Sequence, residues 1–179
     1  MQNIIRWFFT TTNIYLVMGL CILYLIFPLY LLPNIINSGQ TGPLDLMFWY
    51  NHDTLYQMMA SYGEVIRSRY MIGLLTVDVA YPIIYGSLLA LVIALIIKKL
   101  PIACSRKLCL IPFVAVLFDL TENTLVIFLL NSYPQKNYLL ADIAGFVTAS
   151  KWSAFIIIAS TVIYIVAKGV MTRRQIQNQ

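Results

Sequence analysis

The sequence predicts an all-α, polytopic membrane protein with four transmembrane helices in one bundle. Three observations carry that reading. Hydrophobic residues make up 60% of the 179 residues, charged residues only 11%, and the mean hydropathy is +0.80, which leaves too little polar surface to cover a water-soluble globule of this length. Four apolar runs reach spanning length, at about 14–32, 71–97, 108–130 and 138–167. Turn and charge signals separate them, and the remaining segments are too short for a soluble domain, so 1–179 reads as a single four-span domain.

Arg6, Trp7, Phe8 and Phe9 open the chain with the basic and aromatic mixture suited to a membrane interface. The run from Ile14 to Leu32 is longer than a signal-peptide core and no small-x-small site follows Pro33, so it reads as a retained span. Pro28 is placed to kink its far end. The segment 33–70 is the outer loop. It begins with the breakers Asn37, Ser38, Gly39, Gly42 and Pro43. Leu44, Phe48, Leu55, Met58, Met59 and Tyr62 then approximate a helical stripe, expected as an interfacial helix over the bundle or as a lid. His52 beside Asp53 lacks an accompanying nucleophile, and Asp53 ahead of Thr54 reads equally well as a helix cap.

The second span contains Asp78, Tyr81, Pro82, Tyr85, Gly86 and Ser87. Asp78, Tyr81 and Tyr85 share a helical face, Pro82 frees a carbonyl near Asp78, and Gly86 permits close backbone approach. Lys98, Lys99, Arg106 and Lys107 bracket a short loop with Pro101. The third span carries Asp119, Glu122 and Asn123 on one face, and the fourth is interrupted by Asp142 and Lys151. Cys21, Cys104 and Cys109 contain no C-x-x-C pair, which argues against a disulfide framework or thiol relay, and no metal site is read from them.

Arg6, Lys98, Lys99, Arg106, Lys107, Lys168, Arg173 and Arg174 fall on the side of the two termini, where there is no Asp or Glu. The positive-inside rule therefore predicts cytoplasmic termini, and the retained first span without a sorting signal makes a bacterial inner membrane the expected location. That asymmetry accounts for the net charge of +5, and no nucleic-acid motif is present.

At a rise of about 1.5 Å per residue, Glu122 and Asp119 lie roughly 12 and 16 Å below the outer end of their span, and Asp78 about 10 Å below its own. Lys151 falls in the same outer half. An ionisable group in hydrocarbon is costly unless paired, protonated or hydrated, so this convergence is the candidate site. The expected ligand- or proton-binding residues are Asp78, Tyr81, Tyr85, Asp119, Glu122, Asn123 and Lys151, with Arg67 and Arg69 at the outer rim. One lysine cannot balance three acids, and Asp119 and Glu122, one turn apart, can share a proton.

Three functions fit. The first is an outward-facing pocket for a small molecule, ion or lipid headgroup, open to proton coupling. The second is an intramembrane acid–base enzyme acting on a lipid-like substrate. The third is an accessory or assembly subunit with an interhelical polar network. In size and span count the chain is similar to small four-span families such as the sterol-isomerase-like bundles and the vitamin K epoxide reductases. It lacks the C-x-x-C of the reductases, a G-x-G-D before Asp78 or Asp119, and the E-x-x-H of di-iron bundles, so no named chemistry or cofactor follows. The expected partners are the lipid bilayer, a small-molecule or lipid ligand, and a second copy or another membrane protein.

Overall fold

The computed structural model describes residues 2–35, 42–100 and 104–177, and the described residues hold helices and no strand. Asn37, Ser38, Gly39 and Pro101, read above as breakers or loop residues, lie outside them. The helices are α1 (Gln2–Thr11), α2 (Ile14–Ile26), α3 (Leu32–Ile35), α4 (His52–Leu75), α5 (Val77–Lys99), α6 (Pro112–Ser132) and α7 (Tyr138–Gln177). Four stretches are long and apolar enough to cross a membrane: Ile14–Asn34, His52–Lys99, Arg106–Ser132 and Tyr138–Arg174.

Local chemistry explains the boundaries. Asn13 caps α2 by accepting from the Leu16 N–H at 2.8 Å. Pro28 lacks an N–H, and around it the helix widens to a π turn over Phe27–Leu31, the distortion expected at that end of the first span. α4 is capped by Asn51, whose Oδ1 accepts from Thr54 N–H at 3.0 Å. The cap is thus Asn51 rather than Asp53, which sits in the first turn. Gly63, at φ 67°, breaks α4 with a conformation that disfavours other residues. Thr76 separates α4 from α5. The apolar run that reads as one span from Met71 therefore contains a helix end, and Asp78 lies in the first turn of α5.

α6 packs between α5 and α7, and close approach has identifiable causes. A Cβ on Gly86 of α5 would run into the Val116 side chain of α6. Gly169 of α7 similarly leaves room for Leu100, and Arg173 donates to the Lys99 carbonyl at 3.1 Å. At that same end α1 buries Ile5 and Phe8 while Trp7 stays exposed, and Phe8 meets Phe113 at 5.9 Å.

The stretch from Gly42 to Asn51 is not the helical stripe that its apolar spacing suggests. A single 3-10 turn, Leu44–Leu46, leads into extended chain. Leu44 and Tyr50 are buried, whereas Phe48 and Trp49 are exposed. This strap is held by its own carbonyls: Trp152 Nε1 donates to Met47 at 2.8 Å, and Gly145 abuts the Tyr50 carbonyl so closely that a Cβ there would collide with it.

Two apolar clusters result. One joins α1, α2 and the far parts of α5, α6 and α7, through Phe8, Leu91, Val116, Ala154 and Ile158. The other joins the strap, α4 and the near parts of α6 and α7, through Leu44, Met59, Leu74, Val126 and Ala144. Along α6 the order is Val116, then Asp119, Glu122 and Asn123, then Val126. Along α7 it is Ala144, then Thr148 and Lys151, then Ala154. Apart from Thr12, which follows α1, the buried polar side chains thus form a layer between two apolar ones.

Candidate functional site

The polar layer is centred on Lys151. Its Nζ forms an ion pair with Glu122 Oε2 at 2.6 Å, a contact without hydrogen-bond alignment. It donates to Asp119 Oδ1 at 3.3 Å and to the Asp45 carbonyl at 3.3 Å. The ammonium is thus held by one ion pair and two hydrogen bonds, all to groups of the protein itself. The remaining carboxylate oxygens are taken too. Tyr85 donates to Asp119 Oδ2 at 2.9 Å. Thr148 Oγ1 donates to Glu122 Oε1 at 2.6 Å and also lies 3.0 Å from the Ala144 carbonyl. The offsets of three within 119–122 and 148–151 bring these groups to facing sides of α6 and α7.

Asp78 and Asn123 form a second node. Pro82 cannot donate to the carbonyl four residues before it, which is that of Asp78. Asn123 Nδ2 donates to that carbonyl instead, at 3.0 Å. Asp78 Oδ2 and Asn123 Oδ1 are buried without a hydrogen-bond partner among the described residues. Tyr81 does not reach the carboxylates by hydrogen bond. It is half-buried and stacks on Tyr24 and Phe27, each at 5.6 Å between centroids, and meets Tyr85 edge-on at 5.5 Å.

Arg67 and Arg69 are not brought to this layer. Arg67 donates to the Met59 carbonyl at 2.9 Å across the Gly63 break and lies 4.3 Å above the Tyr133 ring, and Arg69 is exposed. His52 pairs with Asp142 rather than working with its neighbour: Nδ1 lies 2.9 Å from Oδ1, and Nε2 is 3.6 Å from Asp53 Oδ1.

Asp45, Tyr70, Thr148 and Tyr50 were not among the residues singled out in the sequence. Asp45 Oδ1 accepts from the Tyr70 hydroxyl at 3.1 Å. Tyr50 is buried beside Thr148 without an aligned hydrogen bond, and burial with the nearby Glu122 carboxylate pushes its phenol above the ordinary range. Thr148 had a signal, since it lies one turn before Lys151 on the same face.

Beside the layer lies a cavity of about 700 Å³ between α2, α5, α7 and the strap. Its polar end is formed by Asp45, Tyr85 and Lys151, and its long walls by Leu88, Val92, Ile158 and Val162. Tyr24, Tyr81, Trp152 and Phe155 add aromatic rings to the lining. That volume is in the range of small-molecule sites, and a mostly apolar lining with a few convergent polar groups is their usual composition.

Fold and site together define an all-helical protein with four helices of membrane-spanning length and composition and a charged layer buried among them. No protein-family model, curated protein or solved structure matches this chain.

Proposed function

We propose that this chain is an integral membrane protein that binds an amphipathic small molecule in the cavity between α2, α5 and α7. The observation that carries the reading is the cavity itself: about 700 Å³, apolar along most of its length and closed at one end by Asp45, Tyr85 and Lys151. The apolar part of the ligand lies along α5 and α7, and its polar part meets the strap. Asp119 and Glu122 stand behind Lys151 and hold its ammonium in place. The bias of Lys and Arg toward the terminal side supports cytoplasmic termini and a pocket in the half of the membrane away from them, with a bacterial inner membrane as the setting.

The competing reading is a purely structural polar network. It is favoured by the contacts that Lys151, Asp119 and Glu122 already make with one another and with Tyr85, Thr148 and the Asp45 carbonyl. Native mass spectrometry of gently purified protein separates the two. Wild type should carry a defined small molecule that Ala159→Trp, which fills the cavity from α7, no longer retains. A wild type that carries nothing specific, with Asp119→Asn and Glu122→Gln changing only thermal stability, would overturn the binding reading.

A further inference from the structure

The cavity's polar end is unequal in what it has left to offer a ligand. Lys151 lines it, yet its ammonium is already ion-paired with Glu122 and donates to Asp119 and the Asp45 carbonyl. An anionic headgroup would have to take the ammonium away from two carboxylates. Asp45 is in the opposite condition. Among the described residues its carboxylate accepts one hydrogen bond, from Tyr70, and no Lys, Arg or His lies within ion-pair distance of it. A carboxylate offers about four acceptor positions, so most of its capacity is unused. Acidic groups also outnumber basic ones in the interior, with Asp78, Asp119 and Glu122 buried beside Lys151.

The walls beside Asp45 add a second, independent preference. Tyr24 and Tyr81 are stacked, Tyr81 meets Tyr85 edge-on, Tyr85 meets Phe155 at 5.2 Å, and Phe155 meets Trp152 at 5.9 Å. This continuous chain of rings lines the same end of the cavity. Aromatic faces attract cations through the ring quadrupole, most strongly where water is excluded, and aromatic cages with a nearby carboxylate suit alkylammonium groups.

We propose that the cavity takes a lipophilic monocation: a molecule with an ammonium-type charge and no anionic group, its cation between Asp45 and the rings and its apolar body against Leu88, Val92 and Ile158. This rests on the binding reading above and names its ligand class. A zwitterionic lipid fits less well, because its phosphate would be brought to the same end of the cavity as the Asp45 carboxylate.

The test uses two probes of nearly the same shape and opposite charge, tetraphenylphosphonium and tetraphenylborate. Each is titrated in radiolabelled form onto the full-length protein in nanodiscs of neutral lipid, with Ala159→Trp nanodiscs as the partitioning background. Tetraphenylphosphonium should bind wild type above that background and tetraphenylborate should not. Asp45→Asn, which keeps an acceptor for Tyr70, should weaken phosphonium binding by about ten- to a hundredfold. Tyr81→Leu should weaken it by about threefold or more while Tyr81→Phe leaves it unchanged, which tests the cation preference without touching Asp45. Specific binding of the borate, or phosphonium binding indifferent to both Asp45→Asn and Tyr81→Leu, overturns the cation inference and leaves the cavity reading standing. If neither probe binds, the inference falls. In that case the cavity reading falls with it only if wild type also carries no molecule that Ala159→Trp fails to retain.

Discussion

Among the described residues α7 carries ionic contacts at two places, Asp142 and Lys151, and they differ in almost every physical respect. At the start of α7, Asp142 meets His52 at 2.9 Å, with side chains 48% and 33% exposed. Nine residues further along, Lys151 meets Glu122 at 2.6 Å, with side chains 5% and 1% exposed. The exposed pair can exchange its partner for water at little cost. The buried one cannot, because taking either charge out of solvent is repaid only while its partners stay in place. The first contact adjusts how firmly α4 and the strap sit on α7. The second ties α6 to α7 and cannot lose one partner without leaving the others buried and uncompensated.

The largest test of that difference removes the lysine. Lys151→Met leaves Asp119 and Glu122 buried against each other and the Asp45 carbonyl without its donor. Breaking a buried pair from one side is expected to cost about 3–5 kcal/mol, read as a large drop in thermal midpoint in detergent. Replacing the charges together, as Lys151→Met with Asp119→Asn and Glu122→Gln, should recover most of the loss. Equal instability of the single and triple variants would mean that the network does not behave as a charge-balanced unit.

The layer's existence was legible in the sequence because ionisable groups are rare in apolar runs, and offsets of three and four fix which of them share a face. Asp119, Glu122 and Lys151 do meet, and Tyr85 joins them, as the spacing indicates. The strap was not legible. Leu44 to Tyr62 has apolar spacing close to helical, yet Met47 and Tyr50 are fixed by main-chain carbonyls that meet Trp152 and the bare face of Gly145, a hundred residues away. Backbone acceptors leave no mark on residue pattern, and Asp45 reaches the site on that strap. The break at Thr76 was hidden for a related reason: an apolar run reports burial, not helix continuity.

A middle-sized effect belongs to Asn123 and Pro82. Asn123 donates to the Asp78 carbonyl, which Pro82 cannot serve. Asn123→Ala should therefore cost about 1–3 kcal/mol, the penalty for an unpaired buried carbonyl. Pro82→Ala provides a backbone N–H to that same carbonyl. The cost of Asn123→Ala measured in a Pro82→Ala background should be smaller than in wild type, and a double-mutant cycle reads the difference. Additivity of the two changes would show that Asn123 matters through its side-chain packing instead.

The smallest effect lies at the exposed pair, and there the two parts of the Asp142 interaction can be separated. Asp142 Oδ1 accepts from the backbone N–H of His52 at 2.8 Å as well as facing its ring. That N–H is one of the first-turn donors of α4 that the helix cannot satisfy itself, and Asn51 serves another at Thr54. Asp142 thus caps α4 from a different helix. Raising the salt concentration to about 1 M, where charges are screened within about 3 Å, should weaken the ring contact and leave the cap. Asp142→Asn should retain much of the slow hydrogen exchange at the His52 amide, and Asp142→Ala should lose it. Neither change should alter the salt-insensitive contribution of Lys151. If salt weakens the Lys151 contact as much as the His52 one, water reaches the polar layer freely, and the contrast between an adjustable rim and a dry, committed interior does not hold.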